Sequence, residues 1–154
     1  MWNALSAAID IIDEATDGTR DGQIGSDSRI AVVSFADTAS KDTQLITSVS
    51  DLKAAVDALT ADGNTNHADA FTKASELLSG SSNAKVMVMF TDGETTVGPN
   101  PSPFAAAARA AGTFISKPTG RRDTVSGQAK KLIFSKNVLT DLEPCGIIHL
   151  VLSD

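Results

Sequence analysis

Cysteine is nearly absent from this chain of 154 residues, which carries only Cys145. A single cysteine excludes an intrachain disulfide framework and leaves the redox compartment undecided. Long apolar runs are lacking too, because no stretch approaches the ~18–20 residues of a membrane-spanning helix. The N-terminus has no secretory signal pattern, since Met1 leads straight into an amphipathic stretch without a basic region. We therefore expect a globular domain without a membrane span.

Basic residues are fewer than acidic ones, 13 against 19, which gives a formal charge of −6. This acidic balance argues against nucleic acid as the main partner, because a protein binds nucleic acid by neutralising its phosphates with basic side chains. Residues 1–116 carry 7 basic and 15 acidic side chains, whereas residues 117–154 carry 6 and 4, so we place a boundary after Ser116. The basic residues beyond it lack interleaved aromatic residues and are expected to form a solvated face. They include Lys117, Arg121, Arg122, Lys130 and Lys131.

Motifs that would carry catalysis are missing. No serine stands in a G-x-S-x-G turn, and no glycine-rich loop has the strand and the lysine of a phosphate-binding loop. His67 and His149 are far apart in sequence with no cysteine or second histidine beside either, which disfavours a zinc cluster. Cys145 has no local activating motif. We expect no enzymatic activity.

Apolar runs typical of buried strands alternate along the chain with amphipathic helices, and this alternation predicts an α/β domain. A 42% share of hydrophobic residues in a chain of this length is enough for a core. Two short apolar runs, 30–36 and 86–90, are typical of strands buried on both faces, and 44–49 is a candidate edge strand. Amphipathic spacing predicts four helices. They cover residues 3–15, a segment capped by Ser50 that ends before Asp62, residues 66–79, and a segment from Ser102 to Gly112. The expected sheet is mostly parallel.

Two segments carry the most specific signal. Gly63-Asn64-Thr65-Asn66 precedes Ala68-Asp69-Ala70, and the strand 86–90 runs into Thr91-Asp92-Gly93-Glu94. In parallel sheets ligands bind at the carboxyl ends of the strands, where Asp92 is expected and where the Thr65 hydroxyl can also lie. Taken alone, Asp92 can be a turn carboxylate and Thr65 a helix cap, whereas Asp69 can compensate the positive end of a helix.

These segments, in this order, resemble the von Willebrand factor type A domain over residues 1–116. The resemblance implies a Rossmann-like three-layer sandwich with a metal-ion-dependent adhesion site, where five side chains bind one Mg²⁺ and an acidic residue of a protein ligand completes the coordination. It implies Thr65 and Asp92 as metal ligands, Asp69 as their support, and Asn64, Asn66, Gly93 and Glu94 as partner-binding residues. It also implies protein interaction or adhesion as the function, of the kind found in bacterial surface and extracellular proteins.

The chain departs from the family at both ends. No Asp-x-Ser-x-Ser follows any strand, and Asp37-Thr38-Ala39-Ser40 has the wrong spacing. Met1 corresponds to a position just past that missing triplet, so the chain lacks the family's first strand and three of its five ligands. We therefore expect Mg²⁺ binding to be weak or absent and the sheet to have open ladders. Two alternatives remain: a protein associated with an ATPase or chelatase, or a non-functional gene fragment.

Two further segments allow more than one interpretation. Loop 17–28 partly matches a calcium-binding loop but has Ser28 where a bidentate glutamate belongs, so we interpret it as an ordinary Gly/Asp loop. The run 146–152 can be a loose tail or an edge strand. Alternatively it fills the vacant central position between strands 30–36 and 86–91, which would bring Asp154 near Thr65 and Asp92.

Overall fold

The α/β architecture predicted from the sequence is confirmed in a computed structural model, which describes residues 2–25, 27–60, 62–91, 94–116 and 147–153. Its described elements follow in chain order. They are α1 (Trp2–Asp17), β1 (Arg29–Phe35), β2 (Ala39–Lys41), α2 (Val49–Asp57), α3 (His67–Leu78), β3 (Lys85–Phe90), α4 (Ser102–Ala110), β4 (Thr113–Ser116) and β5 (Ile147–Ser153).

One five-stranded sheet with the order β2-β1-β5-β3-β4 organises the described residues. β1, β3 and β4 run in one direction, but among the described strands the expected parallel pairing is found only between β3 and β4. β2 and β5 run the opposite way, so their ladders are antiparallel. Ile30, Ala31, Val32 and Val33 of β1 are all fully buried. Because successive strand residues point to opposite faces, both faces of the sheet are covered, as a three-layer sandwich requires.

β5 occupies the central position of the sheet. It pairs with all seven residues of β1 on one side and with β3 on the other. The interpretation that this run lies between the strands 30–36 and 86–91 is therefore confirmed, and the ladders that were expected to be open are paired in the structure. The division of the chain at Ser116 stays a prediction, although β5, which lies beyond it, is hydrogen-bonded within the sheet.

The direction of β5 contradicts the second half of that prediction. Ser153 lies opposite Arg29 and Lys85, at the beginnings of β1 and β3. The strand therefore ends at the edge opposite to Phe35 and Phe90, and it does not run towards the Thr65 loop. Asp154 and Asp92 themselves lie outside the described residues.

Two local assignments also differ from the sequence prediction. Ser48, not Ser50, caps α2, and its hydroxyl accepts a hydrogen bond from the backbone N–H of Asp51. The short edge strand is Ala39–Lys41 instead of 44–49, because that later segment makes only isolated bridges, such as Ile46 with Ile30. In the part of the chain that the structure describes, no helix has the length and apolar character to span a membrane.

Candidate functional site

Three loops meet beside the carboxyl ends of β1 and β3, and we call them together the loop edge: residues 36–38, 62–66 and 94–98. The first follows β1, the second leads into α3, and the third lies between β3 and α4. Carboxyl ends of strands that run in the same direction share one edge of a sheet, which is the usual ligand-binding side of α/β folds.

Asn66 joins the first two loops. Its backbone N–H donates to the Ala36 carbonyl oxygen at 2.9 Å, and its side-chain Nδ2 donates to the Asp37 carbonyl oxygen at 2.9 Å. Its Oδ1 accepts from the backbone N–H of Asp69 and so caps α3. Both Nδ2 and Oδ1 of the Asn66 side chain are thus hydrogen-bonded within the protein. Thr65, the other candidate for a helix cap, does not cap α3.

The second and third loops are joined at Thr65. Its backbone N–H donates to the Thr96 hydroxyl at 2.8 Å, and its carbonyl oxygen accepts from the backbone N–H groups of Thr96 and Val97. The loop after β3 is therefore paired with the loop that precedes α3 through backbone bonds. This pairing leaves the half-buried Thr65 side chain at the loop edge, as the sequence predicted.

His67 fastens the same third loop from the first turn of α3. The buried imidazole lies with Nδ1 2.7 Å from the Thr95 hydroxyl and Nε2 3.1 Å from the Thr91 hydroxyl, and its ring centroid is 5.3 Å from that of Phe35. Thr91 and Thr95 flank the Asp-Gly-Glu segment in the sequence. The histidine therefore links the residues on both sides of this segment to α3.

Two glycines allow these contacts. Gly98 has φ +82°, and a Cβ there would lie 2.7 Å from Cγ of Asn66, so any side chain would collide with the amide. Gly63 has φ +86°, and a Cβ there would lie 2.5 Å from the Asp37 carboxylate. Both positions need the left-handed backbone and the close approach that glycine provides.

The predicted site residues have different environments. Asn64 is exposed and its Nδ2 donates to the Asp37 carboxylate at 2.7 Å, and Glu94 is exposed as well. The Asp69 carboxylate accepts the Ala39 backbone N–H at 2.6 Å, which ties α3 to β2. Asp92 and Gly93 lie outside the described residues. The metal and partner roles of these residues stay predictions.

The sequence does not predict the roles of two residues at this site, Asp37 and His67. The spacing of Asp37 from the next serine is wrong for the family triplet, yet its carboxylate lies beside Asn64. The sequence offers His67 only as a zinc ligand. The two threonines on either side of the Asp-Gly-Glu segment are its partners, but they stand 24 and 28 positions away.

The described donors do not fit a complete Mg²⁺ site. Mg²⁺ requires near-octahedral oxygen ligands. Of the two predicted ligands only Thr65 lies in the described residues, and the neighbouring Asp37 carboxylate is already engaged by Asn64. Across the described ranges, no group of three or more His, Cys, Asp or Glu residues is placed to hold a metal ion.

In the Gly/Asp loop, the Asp17 and Asp21 carboxylates accept the backbone N–H groups of Thr19 and Gln23. The Thr19 hydroxyl also bonds to Asp17 and, together with that backbone bond, lowers its pKa.

Comparisons with known proteins agree with this geometry. The family model of the von Willebrand factor type A domain matches residues 2–130. Two solved structures of proximal thread matrix protein 1 from the mussel byssus are similar, one of them with a zinc-occupied metal-ion-dependent adhesion site. They are 28% and 25% identical over 76% and 75% of this chain, with TM-scores of 0.62 and 0.59. The chain spans 29% and 30% of their length. No curated protein matches.

Proposed function

The chain belongs to the von Willebrand factor type A family, and from this premise we propose that it is a non-enzymatic protein-interaction module of the adhesion type. Its ligand is a protein, which contacts the loop edge. The observation that carries the proposal is the locking of three separate loops into one surface by Asn66, Thr65 and His67.

Preorganisation is what makes this edge suitable for recognition. A surface that is already ordered loses less conformational entropy on binding. The backbone and buried groups of the loop edge are hydrogen-bonded to each other, whereas the Asn64, Asp37 and Glu94 side chains are exposed. Asn64 and Glu94, together with Gly93, which precedes Glu94 in the sequence, are the proposed contacts with the ligand. Asn66 contributes by holding the loops.

We assign a minor role to metal in this chain. Thr65 and Asp92, supported by Asp69, would be the ligands that the sequence in hand supplies to the family site, and two protein ligands hold Mg²⁺ weakly. Asp37 and Glu94 make the edge acidic, so a ligand that approaches with an acidic residue is repelled unless a cation is bound. Binding that is strengthened by Mg²⁺ would therefore indicate an acidic contact of the family type.

The relatives support adhesion without identifying the ligand. The similar solved structures are of a thread matrix protein from the mussel byssus. Because this chain spans under a third of those proteins, their partners are not transferred to it. An extracellular or cell-surface location of the parent protein is part of the proposal.

Photo-crosslinking from the loop edge tests the proposal. A benzoylphenylalanine replaces the exposed Asn64 in one variant and the exposed Asn83, just before β3, in the control. Each variant is irradiated in an extract of the source cells and their medium, and the crosslinked proteins are identified. The captured protein is then purified, and its affinity is measured with wild type, Glu94→Gln and Asn83→Ala, in Mg²⁺ and in EDTA.

We expect capture of one protein from position 64 and not from position 83. We also expect the purified protein to bind wild type and Asn83→Ala equally and Glu94→Gln several-fold differently. Equal capture from both positions, or affinities that Glu94→Gln leaves unchanged, would refute the loop edge as the binding surface.

A further inference from the structure

A polar cleft of about 490 Å³ lies at the other end of β1, between α1, the loop 20–23 and the first turn of α2. Its exposed rim includes Arg20, Asp21 and Ser50, and its buried residues are Asp13 and Val49. The loop 20–23 precedes β1, whereas the loop edge follows it. The cleft is thus separate from the proposed protein-binding surface, and its volume is in the usual range for ligand sites.

Asp13 is the feature of this cleft that needs an explanation. Its side chain is only 2% exposed, and its Oδ2 accepts the Gly22 backbone N–H at 3.2 Å. Its Oδ1 is buried and has no hydrogen-bond partner among the described residues. A buried acceptor left unpaired destabilises the folded state, and more so when it is charged, so the fold keeps this carboxylate at a cost in stability.

The cations near Asp13 are paired with other carboxylates. The Lys53 ammonium binds the Asp10 carboxylate at 2.5 Å, and the Arg20 guanidinium binds Glu14 at 2.6 Å. Asp13 also stands near the C-terminal end of α1, where the helix dipole favours a positive charge, and the last turn of α1 has no basic residue. Both observations favour a cation brought by a ligand.

We propose that this cleft binds a primary ammonium group, with Asp13 as its counter-ion. Only one oxygen of Asp13 is unengaged, which suits the compact ammonium better than the two-pronged guanidinium. A divalent metal is disfavoured, because no cluster of three ligating side chains is present in the described ranges and Ca²⁺ needs six to eight oxygens. Lys53 on Asp10 shows that the cleft already accommodates one ammonium group of this kind. A water molecule would satisfy Oδ1 but would leave its charge uncompensated.

Titration of the ¹⁵N-labelled full chain with n-butylammonium tests the site. The readout is the amide signal of Gly22, whose N–H is bonded to Asp13. Tetramethylammonium has the same charge but no N–H donor, and it controls for ionic strength. Asp13→Asn removes the proposed counter-ion, and Asp57→Asn, an exposed position of α2 outside the cleft, is the matched charge control.

We expect a saturable shift of Gly22 with n-butylammonium in wild type and in Asp57→Asn, and an affinity lower by about tenfold or more in Asp13→Asn. A shift that does not saturate, or one that tetramethylammonium reproduces, would overturn the proposal. If Asp13→Asn does not fold, the comparison of the two ammonium ions in wild type decides alone.

A peptide arm identifies the source of the ammonium group. A capped Gly-Gly-Lys-Gly-Gly peptide that binds better than its Nε-acetylated form would support a lysine side chain of a protein. Binding of n-butylammonium without binding of the peptide would support a small amine. Failure of both probes would overturn the ammonium site and would leave the loop edge untouched, since no residue is shared.

Discussion

The Nδ1 atom of His67 lies 2.7 Å from the hydroxyl of Thr95, so the first residue of α3 holds the residue that follows the Asp-Gly-Glu segment. The second ring nitrogen lies 3.1 Å from the hydroxyl of Thr91, which precedes the same segment. A single buried ring thus contacts both residues that flank a segment proposed to contact the ligand.

His67→Leu is expected to loosen the segment between Thr91 and Thr95. The leucine fills the site but cannot bond to the two threonine hydroxyls, and the loss of such a hydrogen bond costs about 0.5–1.5 kcal/mol. Urea unfolding measures the loss of stability, and hydrogen exchange should show faster exchange of the Thr95 and Thr96 amides. Unchanged exchange in this loop would show that the histidine does not hold it. A double-mutant cycle with Thr95→Val isolates the pair, and coupling near zero would contradict the contact.

Two glycines with the same backbone angle give a matched comparison. Gly98 and Gly112 both have φ +82°, but a Cβ meets the Asn66 amide at Gly98 and nothing within 4 Å at Gly112. Gly112→Ala should cost about 1–2 kcal/mol for the left-handed conformation alone. Gly98→Ala should cost clearly more, because the amide must also move. Equal losses in denaturant unfolding would show that Asn66 is not packed against Gly98.

The two asparagines of the second loop should differ in their effect on stability. Asn66→Ala removes the α3 cap and the bond to the Asp37 carbonyl, and loss of a cap alone costs about 0.5–2 kcal/mol. Asn64→Ala removes an exposed bond to the Asp37 carboxylate and should stay within about 0.5 kcal/mol of wild type. Thermal unfolding of both variants tests the ranking, and an equal or reversed order would contradict the joining role of Asn66.

Asp42 should make stability fall as the pH rises. Burial raises the pKa of its carboxyl, and the hydrogen bonds from Ser34 oppose the shift only in part. With the folded pKa above the unfolded one, the native state binds more protons, so its stability decreases with pH between the two values. The free energy of unfolding of wild type should therefore fall relative to that of Asp42→Asn as the pH rises above the usual aspartate pKa. A difference that does not vary with pH would contradict the shift.

Much of the fold could be predicted from apolar runs and one pair of motifs. The runs at 30–36 and 86–90 predicted two buried strands, and the GNTN and FTDGE segments placed Thr65 at the correct edge. The direction of β5 could not be predicted, because an apolar run buries its side chains equally well in either orientation. The contacts that lock the loop edge could not be predicted either. They join positions 24 to 31 residues apart, and local spacing carries no signal for such pairs.

The position and direction of β5 are central to this account, and NMR α-proton contacts test them most directly. Opposed residues of an antiparallel pair have Cα atoms about 4.5–5.5 Å apart, which brings α-protons of alternate pairs into contact. We expect cross-peaks from β5 to both β1 and β3, in the register that sets His149 beside Val33 and Met89. Cross-peaks that place Ser153 beside Phe35 and Phe90, or that pair β1 directly with β3, would contradict it.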